Sequence, residues 1–335
     1  MLGATSASGG VLRYEPLTVD GVTSVLSTSA IKIRFDRLLH PTSPTRQAIC
    51  LQPLVKKVTG SGDCTAGLFL EPAYDPVRRE VTYRLPAPTR LTPGLVYTLT
   101  VYAAEDPQSA GFRSFQGTPL DAVSRYELRI LPESDPPPPD DTLPTGDRWC
   151  ASAEPDCNAS CAAACDADCG PDAGCRAACA TGCERACPRS IAEIFGARGC
   201  ASSACHGDRE PAAGLDLASP SGVRRTAIDV VAHGAQTGGQ AQAPEASPAR
   251  FGRAMPLMAP GAPGHSYLVY KLLASAHTPL EVPLSPGEID RVRALIVVGA
   301  PMPPSNAPEA SLRPGEAEWI ADWILQRAPM TDACP

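Results

Sequence analysis

Eight regularly spaced cysteines constrain this 335-residue chain more than any other feature. Cys157, Cys161, Cys165 and Cys169 lie four apart, and after Gly170-Pro-Asp-Ala-Gly174 the residues Cys175, Cys179, Cys183 and Cys187 repeat the spacing. The gaps are rich in alanine, the best helix former. Residues four apart share a helix face, so each half presents one row of thiols. The Gly-Pro turn folds the halves into an antiparallel hairpin. Facing rows then pair Cys157 with Cys187, Cys161 with Cys183, Cys165 with Cys179 and Cys169 with Cys175, every pair symmetric about Asp172 as antiparallel register demands. Cα atoms roughly 5.5 Å apart suit a disulfide. Adding two helix radii of about 2.3 Å gives an axis separation of at most about 10 Å, normal for packed helices. A spacing of four drifts about 40° per step against the 3.6 period, which predicts a right-handed coil. So short a hairpin buries no core, and the disulfides must hold it. The rival reading is a thiolate store for a soft metal such as Cu(I) or Zn. Such clusters use tighter cysteine spacing, and they have no need of the palindromic register.

Fourteen cysteines in all are too many for a reducing cytosol unless they bind metal, which points to an oxidising, extracytoplasmic setting. Cys50 and Cys64 are expected to pair in the N-terminal region, and Cys150 and Cys334 to close the C-terminal one. The first ten residues lack the basic and apolar regions of an export signal, so the signal is expected to have been removed or the start misplaced. Cys50 lies too deep to be a lipid-anchor site. The net charge of -7 leaves no basic footprint for nucleic acid. No run approaches the ~18 apolar residues of a membrane span.

Residues 11–131 alternate short β-type runs with Pro and Gly turns. Strands are expected at Val11–Tyr14, Ala30–Phe35, Ile49–Pro53, Gly67–Leu70, Val81–Leu85, Val96–Tyr102 and Tyr126–Leu131. In Val96–Tyr102, the face carrying Tyr97, Leu99 and Val101 is the core side. His40 reads as a surface residue. Glu133–Asp147 holds four consecutive prolines among acids and reads as a semi-rigid linker.

Beyond the hairpin the pattern turns helical, with helices expected at Ser190–Ser203, Val223–His233, Ser266–Ser275, Pro286–Val298 and Pro314–Arg327. Ser190-Ile-Ala-Glu193 and Ser285-Pro-Gly-Glu288 are capping boxes. After the first of these helices comes Cys200-Ala-Ser-Ser-Ala-Cys205-His206. Two cysteines with histidine directly after the second form the attachment signature of a covalent haem c. Each thiol can add to a haem vinyl group, and His206 is then tethered within reach of the iron. Four residues separate the cysteines where two is the commonest spacing. A local disulfide between Cys200 and Cys205, with His206 a bystander, is the competing reading. His233 and His277 read as surface residues at helix ends.

The N-terminal part resembles bacterial Ig-like domains through Ile31–Asp36, Leu91–Leu99 and Phe115–Leu120. That resemblance implies an immunoglobulin-type β-sandwich acting as a spacer or adhesive module. Residues 190–328 resemble the class I cytochrome c family through Ile194-Phe195, Cys200–Gly207, Gly214–Leu217, Pro260–Leu268, Met302-Pro-Pro304, Trp319-Ile320 and Trp323-Ile324. This resemblance implies an all-α haem domain with His206 as proximal ligand, Met302 as distal ligand, and a last helix packed across the first. His206 is expected to bind through Nε2 while its Nδ1–H donates to a backbone carbonyl. Leu215 and Leu217 are candidates to line the haem. The family's smaller members have less than the 96 positions between His206 and Met302, an excess assigned to Gly234–Arg250. Met258, Met255 and His265 are the rival distal ligands.

The chain is thus expected to be multidomain: residues 1–132 an all-β Ig-like sandwich, 133–149 the Pro-rich acidic linker, 150–188 the disulfide-stapled α-hairpin and 189–335 an all-α cytochrome c-like domain. The function that follows is exported single-electron transfer through one haem c held by Cys200, Cys205, His206 and Met302, with a redox partner protein and possible cell-surface association. Two alternatives stay open: a haem-less, disulfide-rich surface protein, and a haem enzyme or sensor with an open sixth site. No triad, phosphate loop or paired-carboxylate arrangement points to a hydrolase or kinase.

Overall fold

The computed structural model describes residues 22–25, 30–54, 64, 67–104, 109–131, 148–150, 157–187, 189–207, 210–232, 255–275, 278–297, 300–303 and 311–331. The chain separates into two compact units, Met1–Thr142 and Leu143–Pro335.

Among the described residues, unit 1 contains seven strands: β1 Val22–Val25, β2 Ile31–Arg34, β3 Ile49–Pro53, β4 Glu71–Asp75, β5 Glu80–Arg84, β6 Val96–Val101 and β7 Ser124–Ile130. They form a four-stranded sheet of order β1-β7-β6-β3 and a three-stranded sheet of order β2-β5-β4. Alternation along the strands sends Ile31, Ile33, Val81, Tyr83, Tyr97, Leu99, Val101, Leu128 and Ile130 into one hydrophobic core, joined by Phe35 and Phe112. The expected core face of β6 is the buried one, as Tyr97, Leu99 and Val101 show.

The expected segment Gly67–Leu70 is not a strand. Leu68 makes one isolated bridge to Leu51, and Phe69 is 67% exposed. The strand begins instead at Glu71. Its Pro72 is tolerated because β4 is an edge strand, where a missing N–H costs no ladder bond. The expected strand Val11–Tyr14 and the linker 133–147 lie outside the described residues. Cys50 and Cys64 are joined, with Cα atoms 5.7 Å apart.

His40 is not on the surface but buried, with 9% of its area exposed. Its Nδ1 accepts from the Thr42 backbone N–H at 3.3 Å and lies 2.7 Å from Thr42 Oγ1, so the ring is neutral. Burial first, and then the positive Arg113, lowers its pKa from 6.5 to about 4. Between those two values the unfolded chain binds the proton and the folded one does not. The His40 contribution is therefore present above pH 6.5 and lost as pH falls toward about 4. Denaturation followed across that window is expected to show a shallower loss for His40→Asn than for the parent chain. Parallel curves would contradict this.

Unit 2 opens with the hairpin, α1 Cys157–Cys169 and α2 Ala173–Ala186. Gly170, at φ +53, makes the left-handed turn, and Asp172 caps α2 by accepting from the N–H groups of Gly174 and Cys175 at 2.8 and 3.0 Å. Cys161–Cys183, Cys165–Cys179 and Cys169–Cys175 are disulfides with Cα separations of 5.6, 5.7 and 5.5 Å. Cys187 and Cys150 are disulfide-bonded as well. Their expected partners, the Cys157 side chain and Cys334, lie outside the described residues. Cys165 and Cys183 are buried while the intervening alanines 162–164 are exposed, so sulfur forms the inner layer of the hairpin.

Among the described residues five further α-helices follow: α3 Ile191–Ala197, α4 Pro220–Thr226, α5 Tyr267–Leu273, α6 Pro286–Leu295 and α7 Glu316–Leu325. Both capping boxes are present, Ser190 with Glu193 and Ser285 with Glu288. Helix α7 is buried on every side and presents Trp319, Ile320, Trp323 and Ile324 to the core. Trp323 packs against Phe195 of α3 and against Trp149, with ring centroids 6.4 and 5.9 Å away.

The fold expected from the sequence needs correction. The first unit is not an all-antiparallel immunoglobulin-type sandwich: its larger sheet is mixed, because β1 runs parallel to β7. The second unit is not an all-α cytochrome fold. The helix expected over Val223–His233 stops at Thr226, and the chain then turns through Ala227 and Asp229, the latter at φ +55, with isolated bridges Ile228–Met258 and Val231–Pro256. The physical reason is local: Ile228, Val230 and Val231 are β-branched and continue a helix poorly, and Asp229 takes a left-handed conformation that breaks it. The chain is a mixed α and β protein of small sheets and short helices.

Among the described residues no helix is long and apolar enough to cross a membrane. The disulfides of both units are compatible with an extracytoplasmic location.

Candidate haem-attachment site

Helix α3 ends at Arg198, and Gly199 at φ +70 reverses the chain into a compact loop. Backbone bonds close that loop: Ala201 N donates to Phe195 O, Cys205 N to Ser202 O, and His206 N to Cys200 O, each at 3.0 Å. Gly207 ends it with no room for a side chain, since a Cβ there would lie 2.7 Å from the Ser202 carbonyl oxygen. The loop therefore delivers both cysteines and the histidine from one short, internally bonded turn.

Among the described cysteine side chains these two thiols differ from the others. Cys200 and Cys205 are free, whereas Cys50, Cys64, Cys150 and the seven cysteines from Cys161 to Cys187 are disulfide-bonded. Cys205 is exposed and Cys200 half-buried. Burial, and next the neighbouring Cys205, pushes the Cys200 thiol up to about 11. It is therefore protonated at neutral pH, and a protonated thiol is a poor nucleophile toward disulfides.

His206 Nδ1 lies 3.1 Å from the Ala212 carbonyl oxygen. A carbonyl only accepts, so Nδ1 carries the proton and Nε2 keeps its lone pair for a metal. Burial holds the imidazole pKa below its ordinary value, which favours the neutral, ligating form.

Both cysteines and His206 open onto a cavity of about 630 Å³. Its walls are mostly apolar, including Leu215, Leu217, Leu257, Leu268, Leu272, Leu312 and Ile320. Met302 lines the same cavity from the far end of the sequence, beside Pro303. Thus all four residues singled out in the sequence meet at one space, and Leu215 and Leu217 wall it. Met255, Met258 and His265 do not line it: the two methionines are packed in the interior, and His265 is exposed. His233 and His277 lie outside the described residues.

Sequence reasoning missed two contributors. Arg198 lines the cavity and is gripped by Glu316 of α7, Nε to Oε2 at 3.0 Å and Nη2 to Oε1 at 3.2 Å. Glu316 also accepts from the Arg313 N–H at 2.8 Å. Lys271 of α5 is a second cation on the wall, its Nζ 5.8 Å from the Tyr267 ring centroid. The Arg198–Glu316 pair spans 118 positions, so no local pattern announces it.

No protein-family model matches the chain, and no curated protein matches it. Among solved structures it is similar to surface layer protein SbsC, domains 1-6, and to the S-layer protein rSbsC(31-844), in each case at 13% identity and a TM-score of 0.25 over 36% of this chain. The N-terminal part of the bacterial S-layer protein SbsC gives the same identity and score over 37%. The matches span only 14%, 14% and 24% of the lengths of those chains. A likeness of that size identifies no shared fold.

Proposed function

We propose that this is an exported protein whose second unit holds one haem c and passes single electrons to and from a redox partner protein. The observation that carries the reading is the convergence of two free thiols, an imidazole with Nε2 available and a thioether on one apolar cavity of about 630 Å³. The donor set fits the group: Cys200 and Cys205 would hold it through thioether bonds, and His206 and Met302 would ligate its iron. When bound, haem supplies a reversible one-electron couple at its iron.

The remaining work belongs to the chain. The Ala212 carbonyl fixes the His206 tautomer and ring orientation. The leucine-rich wall gives the site an apolar surround. With the haem bound, the Met302 thioether together with the His206 imidazole would favour the reduced metal and raise the potential, as a carrier requires. The resemblance to cytochrome c read in the sequence thus rests on the ligands, not on the fold. The disulfides support a periplasmic, cell-surface or secreted location.

Protein made in a host with haem-attachment machinery is expected to give low-spin spectra in both oxidation states and to titrate as a single one-electron couple. A high-spin spectrum would mean the open sixth site of a haem enzyme or sensor. Colourless protein would leave a disulfide-rich surface module.

A further inference from the structure

Met302 sits in Ala300-Pro-Met-Pro303, a segment with unusual backbone needs. Proline has no N–H, so residues 301–303 offer a single donor, that of Met302, and can build neither a helical turn nor a strand ladder of their own. What fixes the segment must come from outside it.

Helix α5 and Ser275, two residues past its end, supply three bonds. The Met302 N–H donates to the Lys271 carbonyl at 3.2 Å. Lys271 Nζ donates to the Ala300 carbonyl at 2.7 Å. Ser275 Oγ donates to the Pro303 carbonyl at 3.2 Å. The Lys271 carbonyl is open to this bond because the helix is ending: Ala274 N takes Tyr270 O, and Ser275 N turns back to Leu272 O, leaving the carbonyl between them. Lys271 lies in the last turn of the helix and Ser275 just beyond its cap, and both reach the same segment. Ser275 and Pro303 are both buried, and the Tyr267 ring one turn earlier steadies the Lys271 ammonium.

We propose that Lys271 and Ser275 are positioning residues that clamp segment 300–303 to α5 and thereby hold the Met302 thioether in the cavity. The inference rests on the reading of Met302 as an iron ligand and names what keeps that ligand in place. Neither residue touches the metal; each acts through Met302.

The test uses the full chain carrying Lys271→Leu and Ser275→Ala together, with Lys271→Arg as the conservative control. In haem-loaded protein the double variant is expected to retain covalent haem but to lose the weak long-wavelength band of iron–thioether ligation, with a lowered potential. Lys271→Arg, which keeps a donor to the Ala300 carbonyl, is expected to keep the band. A second readout needs no haem. In a peptide covering residues 300–304 only Ala300 and Met302 have backbone amides, and hydrogen exchange there is expected to quicken about tenfold in the double variant, as for the loss of about one hydrogen bond's protection. Unchanged exchange together with an intact band would overturn the clamp. If the parent chain carries no haem, the haem reading fails, and the exchange rate still decides on the clamp.

Discussion

Replacing Cys200 and Cys205 together by serine is expected to abolish retention of haem after acid–organic extraction, while far-UV circular dichroism and the thermal midpoint stay close to those of the parent chain. Among the described cysteine side chains these two are the free pair and the others are bonded, so neither takes part in a structural disulfide. Serine differs by one atom and disturbs the loop little, because the loop is closed by backbone bonds rather than by the thiols. Each single variant keeps one attachment point and is expected to retain haem in reduced yield. Extraction-resistant haem in the double variant would contradict the assignment.

Truncating Glu316 to alanine should be the most damaging single change in unit 2. Its side chain is 1% exposed and that of Arg198 10%, so the pair is buried. Removing the carboxylate strands the guanidinium in an apolar wall and leaves the Arg313 N–H without its acceptor. Breaking a buried pair from one side costs about 3–5 kcal/mol. That is a large share of the roughly 5–15 kcal/mol that holds a typical domain folded. Glu316→Gln, which keeps an acceptor but not the charge, should cost less. Urea denaturation at constant m-value measures both. Because Arg198 leads directly into the Gly199–Cys205 loop, haem yield should fall together with stability in the alanine variant. An unchanged midpoint for Glu316→Ala would show that the pair contributes nothing.

The hairpin was legible in the sequence because its signal is local and redundant: the four-residue spacing fixes the helix face, and the symmetry about Asp172 fixes the register. The convergence of Cys200, Cys205, His206 and Met302 was legible for a different reason. The first three are bound together by one motif, and Met302 was reached through the resemblance of Met302-Pro-Pro304 to a cytochrome c loop rather than through the residues alone. The sheets were less legible. An apolar run at Gly67–Leu70 looked like a strand, yet the pairing with β5 goes to Glu71–Asp75, whose proline and acids hid it. In the region after α4, β-branched residues overrode an apparent helical period. Trp149, read as the end of the linker, belongs to the aromatic cluster of unit 2, with its carbonyl accepting from the Ala192 N–H at 3.1 Å. The Arg198–Glu316 pair and the Lys271 clamp join residues 118 and 29 positions apart, and only the folded chain brings them together.

The most direct test of the central claim is the intact mass of the denatured chain, made in a haem-attaching host and treated with a thiol alkylator. The account predicts a mass raised by one haem, with Cys200 and Cys205 both inaccessible to the alkylator and both carried by the haem-bearing peptide. A chain without haem, with those two cysteines alkylated or joined to each other, would contradict it.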